Sequence, residues 1–152
     1  MLGDVLGDGL ETETETTSMR RLLAHTADLR AELAAPDLSG LYAEAAALVR
    51  ELLVGDCTVE PREERRFELD AFARGDESER FFRFVRELVY LADAEQFLPA
   101  RASVSSGEVI VAGERFDAGR HRVERQIKAV TRHQFRCEPC AGGWRAEIVF
   151  DL

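Results

Sequence analysis

The alternation of apolar and polar residues across positions 126–152 constrains the fold of this chain more than any other feature. Two alternating runs flank Glu138–Gly143, a segment with proline and glycine, so we predict one long β-hairpin from Gln126 to Leu152. Both strands must turn their apolar faces to the core, which predicts a single parity for their register. That parity places Lys128 and Asp151 together on the outer face. The residues predicted to face inward on the first strand are Ile127, Ala129, Thr131, His133, Phe135 and Cys137.

Helices and further strands are predicted before this hairpin. The elements are, in order, two strands joined by a turn over Met19–Ala35, a helix over Pro36–Val54, a strand over Thr58–Phe72, a helix over Ser78–Glu95 and a short hairpin over Arg101–Glu114. The first helix is predicted to be capped by Asp37 or Ser39 and the second by Ser78. This order predicts an α+β domain, of β-α-β-β-α-β type, in which two helices pack on a mostly antiparallel sheet.

Negative charge is concentrated at the N-terminus. Residues 1–18 contain five acidic and no basic residues, so that −4 of the formal net charge of −9 remains for residues 19–152. The first 18 residues are rich in Gly, Thr and Glu, which predicts a disordered acidic tail ahead of one domain at 19–152. An acidic domain is poorly suited to tight, direct nucleic-acid binding. Without a long apolar run or a signal-peptide pattern, we expect a cytoplasmic protein that does not enter a membrane.

Carboxylates from both ends of the domain form the first candidate site. Asp28 lies in the predicted turn of the first strand pair, and Asp151 is followed by the terminal carboxylate of Leu152, where the last strand stops. An oxygen-only set of ligands suits a hard cation such as Ca²⁺ or Mg²⁺. A turn aspartate more often caps its own backbone, so spacing alone favours that role for Asp28.

Cysteines and histidines form two weaker candidate sites. Cys137 and Cys140 make one CxxC pair, which suits zinc or redox chemistry only with partners that the sequence does not supply nearby. Packing of one cysteine in the core and one in a turn is the favoured interpretation. His25 and Thr26 are placed to orient Asp28, and His133 is predicted to be a hydrogen-bonded core residue. No nucleophile triad or phosphate-binding glycine loop is found, so catalysis has little support.

Four motifs, in the same order, are similar to those of the archease family. His25-Thr26-Ala27-Asp28 resembles the HTAD signature of that family. The other matches are Glu87–Leu98 (similar to ELLYLFDxEGFL), Gly113–Asp117 with His121, and the pair Ile127–His133 and Val149–Leu152 (similar to VKAVTYH and FDL). The resemblance spans residues 19–152 and implies an archease-like fold.

The resemblance also implies a function. Archeases are accessory proteins of RtcB-type RNA ligases, not enzymes, and they promote ligase guanylylation and multiple turnover in tRNA splicing and RNA repair. The family binds a divalent cation, which we expect to be Ca²⁺, with Mg²⁺ or Mn²⁺ as alternatives. The implied ligands are Asp28, Asp151 and the terminal carboxylate of Leu152, and Lys128 matches the functionally important lysine. The other residues predicted for the partner surface are His25, Asp93 and His133.

The chain departs from the family pattern at two positions. Gln96 replaces a glycine, which weakens the assignment of Asp93, and Arg132 replaces the usual tyrosine. Two other functions stay open on the sequence. One is a carboxylate–metal phosphoesterase, which needs further converging acids, and the other is a chaperone-like binding module without a metal.

Overall fold

A computed structural model of the chain describes residues 16–24 and 28–152. In chain order its elements are β1 (Met19–Ala24), β2 (Asp28–Ala35), α1 (Leu38–Val54), β3 (Glu63–Glu68), α2 (Leu69–Phe72), α3 (Glu77–Glu95), β4 (Phe97–Ser105), β5 (Glu108–Arg115), β6 (Ala129–Cys140) and β7 (Gly143–Asp151). Of the predicted tail, only residues 16–18 belong to the described part, and they form no helix or strand.

The strands form two antiparallel sheets rather than the single predicted sheet. One has the order β1-β2-β7-β6 and the other the order β3-β5-β4. Helix α1 contacts β2 and β7 of the first sheet and β4 of the second, and α3 contacts β6 and β4. A single core of buried residues therefore extends across both sheets and both long helices. The predicted α+β class, with two long helices on antiparallel strands, is confirmed.

The two long helices begin at aspartate caps. The side chain of Asp37 accepts a hydrogen bond from the Gly40 N–H at 2.7 Å, as predicted for α1. The side chain of Asp76 accepts one from the Glu79 N–H at 3.0 Å, so the prediction of Ser78 as the cap of α3 is wrong. In the described ranges, no helix combines the length and apolarity needed to cross a membrane.

The strand predicted over Thr58–Phe72 is shorter and ends in a helical turn. Strand β3 covers Glu63–Glu68, and α2 follows directly. The Leu69 N–H donates to the Gly107 carbonyl at 2.9 Å, and the Leu69 side chain is buried. Alternating apolar residues at 67, 69 and 71 suit a strand, but a short helical turn also buries the middle one.

Both predicted hairpin turns are present. Ser106-Gly107 joins β4 and β5, and both residues have positive φ, 53° and 75°, as a tight hairpin turn requires. In the last hairpin Cys140 pairs with Gly143, so the predicted loop Glu138–Gly143 is mostly strand. Pro139 is tolerated there because β6 is an edge strand.

A bulge interrupts β6. Thr131 pairs with Val149, and the ladder resumes with Arg136 opposite Glu147, so four residues of β6 lie against one residue of β7. Within the bulge, Gln134 has φ 60°, a left-handed conformation that is uncommon outside glycine. Because the excess of three residues is odd, the inward and outward faces of β6 exchange across the bulge.

The exchange makes the predicted facing right beyond the bulge and wrong for Ala129, which lies in β6 before it, while Ile127, ahead of the strand, is buried as predicted. Cys137 is buried as predicted. Before the bulge, Val130 is buried and pairs with buried Phe150, whereas Ala129 is exposed. His133 is exposed, so the prediction of a core histidine is wrong. The bulge absorbs the difference, and nothing in the alternation of the sequence marks its position.

Candidate functional site

Asp28 and Asp151 lie directly opposite each other in the β2–β7 ladder. Residues in this relation have Cα atoms about 4.5–5.5 Å apart and side chains on the same face. Their neighbours Leu29 and Phe150 also pair and are both buried in the core. The two aspartates therefore point to the outer face of the sheet, where both are exposed. Strand pairing thus brings carboxylates from the two ends of the domain to one place.

Strand β6 brings a third segment to the same place. Ala129 lies opposite Asp151 on the other side of β7, and the Lys128 N–H donates to the Asp151 carbonyl at 2.8 Å. Lys128 was predicted to share a face with Asp151, but the register places Ala129 there instead. Lys128 still lies beside the candidate site, held by its backbone and exposed to solvent.

The arginine that follows Asp28 on the outer face is directed at other acids. One guanidinium nitrogen of Arg30 lies 3.6 Å from both Glu32 and Glu147. These two glutamates form the pair two residues further along the β2–β7 ladder. Because Arg30 is engaged there, its charge is directed away from the two aspartates.

The donors at this end of the sheet fit a hard cation. The two aspartate side chains supply only oxygen atoms, which Ca²⁺, Mg²⁺ and Mn²⁺ prefer. The side chain of Leu152 packs against the core. No three His, Cys, Asp or Glu side chains within residues 16–24 and 28–152 cluster to hold a metal ion. A site here therefore requires main-chain oxygen or water beside the two aspartates.

Of the remaining residues predicted for the partner surface, Asp93 and His133 are not joined to this pair by any strand pairing. His25 and Thr26 lie outside the described residues. Asp93 is exposed near the end of α3, which leads into β4 of the second sheet. His133 is exposed in the β6 bulge, and its N–H donates to the Thr131 hydroxyl at 3.0 Å.

The CxxC pair has the geometry of two independent cysteines. Cys137 and Cys140 are three residues apart in one strand, which separates their Cα atoms by about 10 Å and turns them to opposite faces. A disulfide needs Cα atoms within about 7 Å. Cys137 is buried, and that burial raises the pKa of its thiol to about 12, with nearby acids adding to the effect. This geometry supports packing rather than metal or redox chemistry.

A buried ionic cluster around Glu114 is a feature that the sequence did not predict. Glu114 and His121 are the buried charged or polar residues of the described chain, at 3% and 4% exposure. The Glu114 carboxylate accepts from the Glu60 N–H at 2.7 Å and lies 3.2 Å from Arg62 and beside Arg120. The carboxylate also contacts His121 Nε2, at 3.0 Å.

The charge of Glu114 is stabilised despite its burial. Desolvation favours the neutral acid, but hydrogen bonds from Arg120, Glu60 and His121 outweigh it and lower the pKa of Glu114 to about 2. His121 Nδ1 accepts from the Asp117 N–H at 2.9 Å, so the ring proton lies on Nε2 and is donated to Glu114. The sequence signal is the motif Gly113–Asp117 with His121, which carried resemblance but no assigned role.

The fold and the carboxylate pair define an α+β protein with a candidate cation site at one end of a four-stranded sheet. The sequence model of the Archease protein family (MTH1598/TM1083) matches residues 21–152. The chain belongs to the archease family.

Curated relatives and solved structures agree with this assignment. Protein archease of Sulfurisphaera tokodaii is 28% identical over 134 residues, covering 84% of this chain and 94% of the relative. Protein archease of Archaeoglobus fulgidus is 29% identical over 138 residues, covering 87% and 98%. The solution structure of protein 1598 of Methanobacterium thermoautotrophicum has a TM-score of 0.65, 22% identity and coverage of 88% and 98%. The crystal structure of a Thermotoga maritima archease, described as a possible chaperone, has a TM-score of 0.61, 22% identity and the same coverage. At this identity the two structures establish the fold.

Proposed function

We propose that this protein is a cytoplasmic accessory activator of an RtcB-type RNA ligase in tRNA splicing or RNA repair. It promotes guanylylation and multiple turnover of the ligase, and it binds a divalent cation, Ca²⁺ first, with Mg²⁺ or Mn²⁺ as alternatives. The observation that carries the proposal is the pairing of Asp28 with Asp151 across β2 and β7. These are the two aspartates to which the family resemblance assigns the cation.

The chemistry follows from the positions of the carboxylates. Asp28 and Asp151 place two like charges close together on an exposed face, and opposite residues of like charge destabilise a strand pair. Cation binding by these two groups, with the terminal carboxylate of Leu152 as the third ligand, removes that repulsion. A bound divalent ion supplies a positive centre that orients phosphate groups.

Lys128 complements the carboxylates in this proposal. Its N–H bond to the Asp151 carbonyl, at 2.8 Å, fixes the start of β6 against the end of β7. Its ammonium group is exposed beside the candidate site. An ammonium group there is suited to bind a phosphate or a carboxylate of the partner.

The test is the rate of ligase guanylylation with and without the protein. We expect wild-type protein to accelerate the reaction and Asp28→Asn to lose about tenfold or more of the acceleration, as loss of metal-site groups typically does. Asp56→Asn is the matched control, because it makes the same change at an exposed aspartate in the turn after α1. Absence of any acceleration by the wild-type protein with its cognate ligase would contradict the proposal.

A second measurement tests the terminal ligand. Two residues added after Leu152 move the free carboxylate away from Asp151. We expect the Ca²⁺ affinity of this extended protein to fall by about tenfold or more if the carboxylate is a ligand. An unchanged affinity removes Leu152 from the ligand set and leaves the two aspartates as the site.

The chaperone-like alternative rests on the description of the Thermotoga maritima relative. A chaperone of this kind needs an extended apolar patch on its surface, to which unfolded chains bind. The exposed large apolar residues of the described chain lie instead on three separate elements: Met19 and Leu22 in β1, Tyr90 in α3 and Val123 between β5 and β6. Suppression of the aggregation of an unrelated unfolded protein would favour this alternative, and turnover of a generic phosphodiester would favour the phosphoesterase.

A further inference from the structure

The segment that joins β5 to β6, residues 116–128, has no helix or strand. Its backbone groups therefore need partners elsewhere, and the position of such a segment depends on a few contacts. It leaves the second sheet at Arg115 and enters the first sheet at Ala129. Its last residue, Lys128, is the one that contacts Asp151 at the candidate cation site.

The first half of this segment is fixed by the Glu114–His121 pair. Glu114 lies in β5 and pairs with Leu98 of β4, so it is part of a sheet. His121 binds Glu114 through Nε2 at 3.0 Å and the Asp117 N–H through Nδ1 at 2.9 Å. The histidine side chain is fully buried, at 0% exposure. One ring thus joins the segment both to the sheet and to itself.

The second half is fixed at the end of α1 and then at the core. The Arg122 N–H donates to the Cys57 sulfur at 3.3 Å, and the Glu124 N–H donates to the Leu53 carbonyl at 2.7 Å. Ile127 is buried in the core. The next residue is Lys128, whose N–H donates to the Asp151 carbonyl. The segment is therefore held at successive points from His121 to the candidate site.

We propose that Glu114 and His121 are positioning residues for the candidate cation site: they hold residues 116–128 so that Lys128 stays bound to the Asp151 backbone. The functional part rests on the proposed function, because it supposes that this site binds a cation. The mechanical part is independent of it. Neither residue touches the site, since their contacts lie at the other end of the segment.

The experiment compares local and global effects of releasing the pair. His121→Phe keeps a ring and removes both nitrogen contacts, and Glu114→Gln keeps the shape and removes the charge. Val109→Ala is the control, because Val109 is a buried core residue of β5 with no bond to the segment. Amide hydrogen exchange is measured at Glu124 and Lys128, with Leu33 in β2 as the global reference, together with Ca²⁺ affinity.

We expect exchange at Glu124 and Lys128 to rise by about tenfold or more relative to Leu33 in both variants of the pair, because release of a local contact opens its neighbourhood first. We expect Ca²⁺ affinity to fall by about threefold or more, because only molecules with the segment in place bind at full affinity. Val109→Ala should change all three amides together.

Equal changes at Lys128 and Leu33 in the variants of the pair would overturn the positioning role and leave a general structural one. If His121→Phe does not fold, Glu114→Gln decides the same question with an isosteric change. Wild-type protein that binds none of Ca²⁺, Mg²⁺ and Mn²⁺ would overturn the cation-binding part of the proposed function, and the exchange rates would still decide whether the pair positions Lys128.

Discussion

Asp28→Asn should make the protein more stable without a divalent cation and less stable with one. Asp28 and Asp151 are direct partners in the β2–β7 ladder, and both are exposed on the same face. Two like charges in this position repel each other. Asparagine keeps the size of the side chain and removes one of the two charges, so the substitution separates the electrostatic effect from packing.

The magnitude follows from Coulomb's law at the solvent-exposed surface. Two unit charges about 6 Å apart in water repel by about 0.7 kcal/mol, and salt reduces this value. We therefore expect the free energy of unfolding to rise by about 0.5 kcal/mol in Asp28→Asn, which corresponds to a rise in melting temperature of about 1–3 °C. A cation at about 100 times its dissociation constant stabilises the wild-type protein by about 2.7 kcal/mol.

Thermal unfolding in a chelator and in excess Ca²⁺ checks both values. In the chelator Asp28→Asn should melt above the wild type, and in Ca²⁺ the order should reverse. Asp56→Asn serves as the control for a general change in net charge, and it should keep the full response to Ca²⁺. If Asp28→Asn is less stable than the wild type in the chelator, the repulsion between Asp28 and Asp151 is refuted, and an unchanged Ca²⁺ response would refute the role of Asp28 as a ligand.

Three further substitutions test the buried groups and the end of α3. Glu114→Gln should lower the free energy of unfolding at pH 7 by about 1–2 kcal/mol, after solvent screening is allowed for. Because the pKa of Glu114 is lowered to about 2, the contribution of its charge to stability is present above the unfolded pKa and is lost as pH falls toward 2. Urea unfolding should therefore show a smaller difference in stability between the wild type and Glu114→Gln at pH 3 than at pH 7. A difference that is the same at both pH values contradicts this. Tyr42→Phe should leave stability unchanged or raise it by about 1 kcal/mol, because the buried hydroxyl has no hydrogen-bond partner among the described residues. A clear fall in the free energy of unfolding, measured in urea, would show that the hydroxyl does have a hydrogen-bond partner. Gln96→Gly should raise stability by about 0.5–1 kcal/mol, since Gln96 has φ 55° at the end of α3, and no gain over Gln96→Ala in melting temperature would count against this strain.

Local patterns in the sequence were sufficient for several parts of the fold. Helical spacing predicted α1 and α3, and the turn residues Ser106-Gly107 predicted the hairpin between β4 and β5. These features depend on residues within one or two turns of chain, so a short window contains the cause. The HTAD-like motif and the last aspartate also identified Asp28 and Asp151 as candidate ligands from the sequence.

The sequence did not predict features that depend on distant contacts. The parity of the last hairpin was wrong at Lys128 because a bulge between Thr131 and Arg136 adds an odd number of residues. The bulge is held by contacts with α3: Phe135 packs edge-on against Phe82 at 5.0 Å between ring centroids. No pattern within the strand carries that information.

The sequence by itself therefore determined the two long helices, the class of fold, the family and the identity of the candidate ligands. Only the tertiary structure decided that Asp28 and Asp151 lie in one ladder position, that Ala129 rather than Lys128 faces them, and that a buried Glu114–His121 pair fixes the segment before β6. The physical reason is range. Propensity and periodicity act between neighbours in sequence, whereas strand pairing and buried ion pairs bring together residues that are distant in the chain and that gain stability only when the whole core forms.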